Sequence, residues 1–89
     1  MNLPGNISVI SNPVTGNSFI LKLTGCAKGN YVIRLYDAKG LLVMVSKFEH
    51  NGIDTIRSVS TGKNIPQGLY YLEVTDPEKI RKTISLIFK

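Results

Sequence analysis

Cys26 and His50, the single cysteine and the single histidine, are the side chains best suited to nucleophilic or metal chemistry. A cysteine nucleophile needs a base to take its proton, a third group to orient that base, and donors for the developing oxyanion. Cys26 lies in Gly25-Cys26-Ala27 and His50 in Glu49-His50-Asn51-Gly52. Neither neighbourhood offers an orienting partner or an oxyanion hole. A zinc site wants three or four ligands at short spacing, and beside His50 only Glu49 and Asp54 are near while the cysteine lies two strands earlier. His50 is therefore expected in a surface turn, and Cys26 as a small, partly buried loop residue. Asp37, Asp54 and Asp76 fall at or near turns, where aspartate bonds its own backbone rather than sharing a catalytic cleft. The eight glycines read as turn glycines, with no glycine-rich loop opening a helix. No catalytic residue, metal or cofactor is expected.

The elements that carry these residues are strands. Helical periodicity is almost absent, and alternation of apolar and polar residues recurs between turn signals. The predicted strands are Ile7–Ile10, Phe19–Leu23, Tyr31–Tyr36, Leu41–Phe48, Ile53–Ser60, Leu69–Thr75 and Ile80–Phe88. Ser11-Asn12-Pro13 stops the first, Asp37-Ala38-Lys39-Gly40 links the third to the fourth, and Asp76-Pro77-Glu78-Lys79 links the last two. With 43% apolar and 19% charged residues the composition is that of a globular domain. At 89 residues it makes one small domain, unlinked by any internal disulfide, and its apolar runs fall short of a membrane-spanning helix. Eleven basic residues against six acidic ones give a net charge of +5. The surplus is scattered, with Lys79, Arg81 and Lys82 as the one cluster, so a solvated basic face is expected rather than a nucleic-acid site.

Seven short strands with tight links predict an all-β, antiparallel, immunoglobulin-like sandwich. The links at 37–40 and 76–79 make the third and fourth strands neighbours, and likewise the sixth and seventh. An immunoglobulin-like arrangement satisfies both, with strands one, two and five in one sheet and strands four, three, six and seven in the other. The expected core is Phe19, Leu21, Leu23, Ile33, Leu35, Tyr70, Leu72, Val74, Ile84 and Leu86, with Tyr36, Phe48 and Tyr71 outside it. Ile65-Pro66-Gln67-Gly68-Leu69-Tyr70 places a glycine two residues before an inward tyrosine. Such a tyrosine can return its hydroxyl to the preceding loop, as in the tyrosine corners of immunoglobulin-like domains.

Three blocks, in order, resemble the type A C-terminal sorting domain of the type IX secretion system. They are Ile7-Ser8-Val9-Ile10-Ser11-Asn12-Pro13-Val14, then Val32-Ile33-Arg34-Leu35-Tyr36-Asp37-Ala38-Lys39-Gly40-Leu41-Leu42-Val43. The third is Ile65-Pro66-Gln67-Gly68-Leu69-Tyr70-Tyr71-Leu72-Glu73-Val74, followed by Lys82 and an alternating apolar run to Lys89. The likeness covers residues 7–89. Two features depart from it: Asp76-Pro77-Glu78-Lys79 stands where the family has a Gly- or Asn-rich turn, and the fifth strand is unusually polar, with an extra loop at Thr61–Asn64.

The resemblance implies a non-catalytic signal carried at the C-terminus of an exported protein. The domain would be recognised in the periplasm by the outer-membrane translocon, and a sortase-like cysteine peptidase would then remove it at the cell surface. Residues 1–6 would be the remnant of a linker to an upstream cargo domain. Carried over residue by residue, the motif positions are Asn12, Pro13, Asp37, Gly40, Gly68, Tyr70, Lys82, Ile87 and Lys89. Lys82 and Lys89 would be charges on a seventh strand whose outer edge is open to pairing. A monomer with no nucleic-acid partner is expected. An immunoglobulin-like or fibronectin-III-like accessory or carbohydrate-binding module would share the fold and the corner tyrosine, so fold alone does not separate the two.

Overall fold

The computed structural model describes residues 5–10 and 13–89. Seven strands follow in chain order: β1 (Asn6–Val9), β2 (Ser18–Thr24), β3 (Gly29–Asp37), β4 (Leu42–His50), β5 (Thr55–Ser60), β6 (Gly68–Thr75) and β7 (Arg81–Phe88). The sheets are β1-β2-β5 and β4-β3-β6-β7, every neighbour antiparallel, the order expected of the immunoglobulin-like arrangement. Strand bounds shift slightly. The β5 strand begins at Thr55 rather than Ile53, and Asn6 already belongs to β1, so the folded unit reaches one residue into the expected linker. Residues 1–4 of that linker lie outside the described residues.

Period-two burial builds the core. Phe19, Leu21 and Leu23 of β2 face Ile33 and Leu35 of β3 and Leu72 and Val74 of β6, all closed to solvent. Ile84 is half-buried against this cluster rather than within it. Phe48 is not outside it: its ring stacks on Tyr31 at 5.2 Å between centroids, and the Arg57 guanidinium of β5 lies 4.5 Å over its centroid. Val14 and Phe88 are also fully enclosed, although neither sits in the middle of a long apolar alternation.

The two links made by Asp37 and Asp76 are built alike. In each, the aspartate carboxylate accepts N–H bonds from the residues two and four positions on, Lys39 and Leu41 in one, Glu78 and Ile80 in the other. The backbone closes with Gly40 N–H to Asp37 O and Lys79 N–H to Asp76 O. The fourth residue takes a left-handed conformation, φ 87° for Gly40 and φ 70° for Lys79. Lys79 is the one non-glycine with positive φ among the described residues. The departure from a Gly-rich turn therefore leaves the turn geometry intact and places its strain on a lysine.

The chain changes sheets between β1 and β2. Ile10 N–H still bonds Ile20 O of the first sheet, whereas Val14 N–H bonds Ile87 O and Lys89 N–H bonds Val14 O of the second. Pro13, which lacks an N–H, stands immediately before this crossing. The crossing runs alongside the end of β7, so the edge expected to be open there is occupied from within the chain.

Candidate functional site

Cys26 and His50 come into one neighbourhood through Tyr31, at the end of the sandwich where β2 leaves for β3. The Cys26 thiol points at the Thr24 and Asn6 carbonyls, each 3.7 Å away. Burial pushes its pKa up, against a smaller lowering from a backbone hydrogen bond of Thr24. That is opposite to what a nucleophile needs. His50 is not a surface-turn residue: it is 3% exposed at the end of β4, edge-on to Tyr31 at 5.8 Å. The inward parity of Met44 and Phe48 carries on to position 50, two residues past the point where the predicted strand ended. Asp54 does not bond its own backbone either; its carboxylate accepts Gly25 N–H at 2.8 Å. No group of three metal-ligating side chains occurs among the described residues.

The motif positions gather elsewhere. Asp37 and Tyr70 are partners across β3 and β6, Gly68 and Phe88 across β6 and β7, and Leu69 and Ile87 beside them. Gly40 closes the Asp37 turn, and the Val14 crossing brings Pro13 next to Ile87 and Lys89. Pro13, Asp37, Gly40, Gly68, Tyr70, Ile87 and Lys89 thus share one end of the four-stranded sheet. Asn12 lies outside the described residues. Lys82 sits at the far end of β7, opposite Val74.

Gly68, Tyr70 and Lys82 each have a structural role. Gly68 takes φ 151°, and two residues on the Tyr70 hydroxyl donates to Pro66 O at 2.7 Å, the bond expected of a tyrosine corner. The Tyr70 ring meets Phe88 edge-on at 5.0 Å. Lys82 is more than a charge on an edge. Its ammonium donates to Ile7 O at 2.8 Å and Asn6 Oδ1 at 3.3 Å, which ties β7 to β1 across the two sheets. Thr61, in the extra polar loop, is buried and bonded to Asn17 O through both its N–H and its hydroxyl. That loop is anchored, not loose.

A second corner escaped the sequence reading. Tyr31 is enclosed and its hydroxyl donates to Ala27 O at 2.7 Å, four residues upstream, as Tyr70 does to Pro66. The signal was present: Gly29-Asn30-Tyr31 repeats the glycine-x-tyrosine spacing of Gly68-Leu69-Tyr70. Gly29 takes φ 142°, and a Cβ there would lie 2.7 Å from the Pro77 ring. Burial pushes the Tyr31 phenol up to about 12, with the neighbouring Cys26 adding to the shift.

At the motif end, Leu69 (42% exposed), Ile87 (46%), Leu41 and Leu42 leave apolar side chains in solvent. On the outer face beside them, Tyr36 and Tyr71 are direct cross-strand partners. The outer face there combines apolar side chains with two tyrosines, and the Arg34–Glu73 ion pair lies one row along the same strands.

Sheet order, strand number and the tyrosine corner together define an immunoglobulin-like, seven-stranded antiparallel β-sandwich. No protein-family model and no curated protein matches the chain. Among solved structures it resembles dimeric latent PorU from Porphyromonas gingivalis, with TM-score 0.68 and 20% identity over 94% of this chain. The match covers 9% of the PorU chain, and at this identity it is a likeness of fold.

Proposed function

We propose that this chain is a non-catalytic sorting domain that directs a cargo protein across the outer membrane through the type IX secretion system. The observation that carries the reading is that Pro13, Asp37, Gly40, Gly68, Tyr70, Ile87 and Lys89, drawn from blocks separated in sequence, share one end of the four-stranded sheet. The shared fold with a segment of PorU, a type IX secretion component, supports it. In this reading the translocon meets the ridge made by Leu69 and Ile87. The sortase-like peptidase acts in the linker before β1, and the domain passes through the periplasm to the cell surface attached to its cargo.

The test is a periplasmically exported reporter carrying residues 1–89 at its C-terminus, in a host that has the system. Reporter at the surface or in the medium is expected. Reporter held in the periplasm, while a native cargo of the same host is exported, overturns the reading. Deleting the end of β7 is uninformative, because it removes the enclosed Leu86 and Phe88. Ile87→Ser and Leu69→Ser change the ridge alone.

A carbohydrate-binding accessory module is a second reading, favoured by the Tyr36–Tyr71 pair on the solvent face. Sugar rings stack on such side chains. Retention on an insoluble polysaccharide, lost in Tyr71→Ala, would favour it over the sorting role.

A further inference from the structure

The two sides of the sandwich are closed differently. On the β1/β7 side Lys82 bonds Ile7 O, and Val14 bonds the backbone of Ile87 and Lys89. On the β4/β5 side both strands are terminal in their sheets, and Arg57 over Phe48 spans the gap. The direction of the unpaired groups on β4 follows from the register. Asp37 N–H bonds Leu41 O, so Asp37 turns its backbone groups toward β4. By alternation Leu35, Ile33 and Tyr31 do the same, and their partners Met44, Ser46 and Phe48 return those bonds. Val45, Lys47 and Glu49 therefore aim their N–H and C=O groups outward, where no described strand meets them.

We propose that this edge of β4 takes an added antiparallel strand from a partner whose side chains read lysine or arginine, any residue, aspartate or glutamate, any residue, then apolar. An extended backbone is the ligand that satisfies a row of alternating donors and acceptors. The register is even from Met44 to His50, since the one irregularity lies at Leu35/Tyr36. Val45, 48% exposed, Lys47 and Glu49 stand on one face. An antiparallel partner thus meets Glu49 with its base, Lys47 with its acid and Val45 with its apolar residue. Charge also selects against a second copy: two β4 strands centred on Lys47 would oppose lysine to lysine. The proposal does not rest on the secretion reading, and its test uses none of it.

The probe is a synthetic heptapeptide reading threonine, lysine, valine, glutamate, valine, valine, threonine, titrated at millimolar concentration into the isotope-labelled domain at low ionic strength. Saturable amide shifts at Val45, Lys47 and Glu49 are expected. A peptide with its lysine and glutamate exchanged should bind about fivefold more weakly, from two exposed ion pairs turned repulsive. Val45→Pro removes an outward N–H and spares the bonds to β3, so binding should fall about tenfold with the melt unchanged. If Val45→Pro melts early, Lys47→Glu, which leaves the backbone alone, should discriminate against the first peptide. Absence of saturable shifts, equal binding of both peptides, or shifts on β5 or β7 instead overturns the proposal. Concentration-dependent shifts at the same amides without peptide would overturn it in favour of a second copy.

Discussion

Tyr31 and Tyr70 close opposite ends of the β3–β6 pair with the same bond, each hydroxyl 2.7 Å from the carbonyl four residues upstream. Both are buried, both follow a glycine with φ above 140°, and each pins the loop that feeds its strand. A hydroxyl and a carbonyl enclosed together are costly to leave unpaired.

Tyr70→Phe and Tyr31→Phe should each cost about 1 kcal/mol, the usual worth of one such bond. Urea melts of the single variants and the double check this. The sites lie at opposite ends of two strands, so the losses should add within about 0.5 kcal/mol. A Tyr70→Phe midpoint equal to the parent's would mean that the Pro66 bond contributes nothing.

Stability should fall at alkaline pH because of Tyr31. The unfolded chain loses the phenolic proton near 10, whereas the folded protein holds it to about 12. Between those values the unfolded state binds fewer protons, so this contribution is complete below pH 10 and is lost as pH rises to about 12. Raised by burial, the Cys26 thiol acts in the same direction. Melts across this range should show the decline in the parent and a shallower one in Tyr31→Phe.

Lys79→Gly should stabilise the domain by roughly 0.5–1 kcal/mol, because the left-handed φ costs a lysine more than glycine's added chain entropy does. The equivalent exchange in the other turn, Gly40→Ala, should destabilise by about 1 kcal/mol from conformation alone. No neighbour lies within 4 Å of an added Cβ at Gly40. Chemical denaturation of both variants tests the pair, and a Lys79→Gly protein no more stable than the parent would contradict the strain.

Lys82→Met keeps the aliphatic stem and removes the bonds to Ile7 O and Asn6. A loss of about 1 kcal/mol is expected, since the head is partly in water. Hydrogen exchange should quicken along β1 and leave β3 and β6 unchanged. Uniform quickening across all strands would mean that the lysine does not act as a local clasp.

Much was legible in the chain because each signal was local. Alternation in Phe19–Leu23 and Tyr31–Leu35 fixed which side chains turn inward, and the four-residue aspartate turns fixed which strands are neighbours. Those turns gave the pairs β3–β4 and β6–β7, and the alternation gave the register of their inward faces, since a one-residue slip would expose every core side chain. Gly68-Leu69-Tyr70 announced its corner for the same local reason. What only the tertiary structure decided involves residues far apart in sequence. Burial of His50 depends on how far β4 runs beside β3, and enclosure of Val14 on a sheet crossing that no periodicity marks. Lys82 became a clasp because its long stem reaches a carbonyl 75 positions earlier. The end of β7 is not an open edge because its main-chain groups found partners at Val14. Pairing of that kind is set by the closing of the two sheets on each other, not by the residue types along either strand.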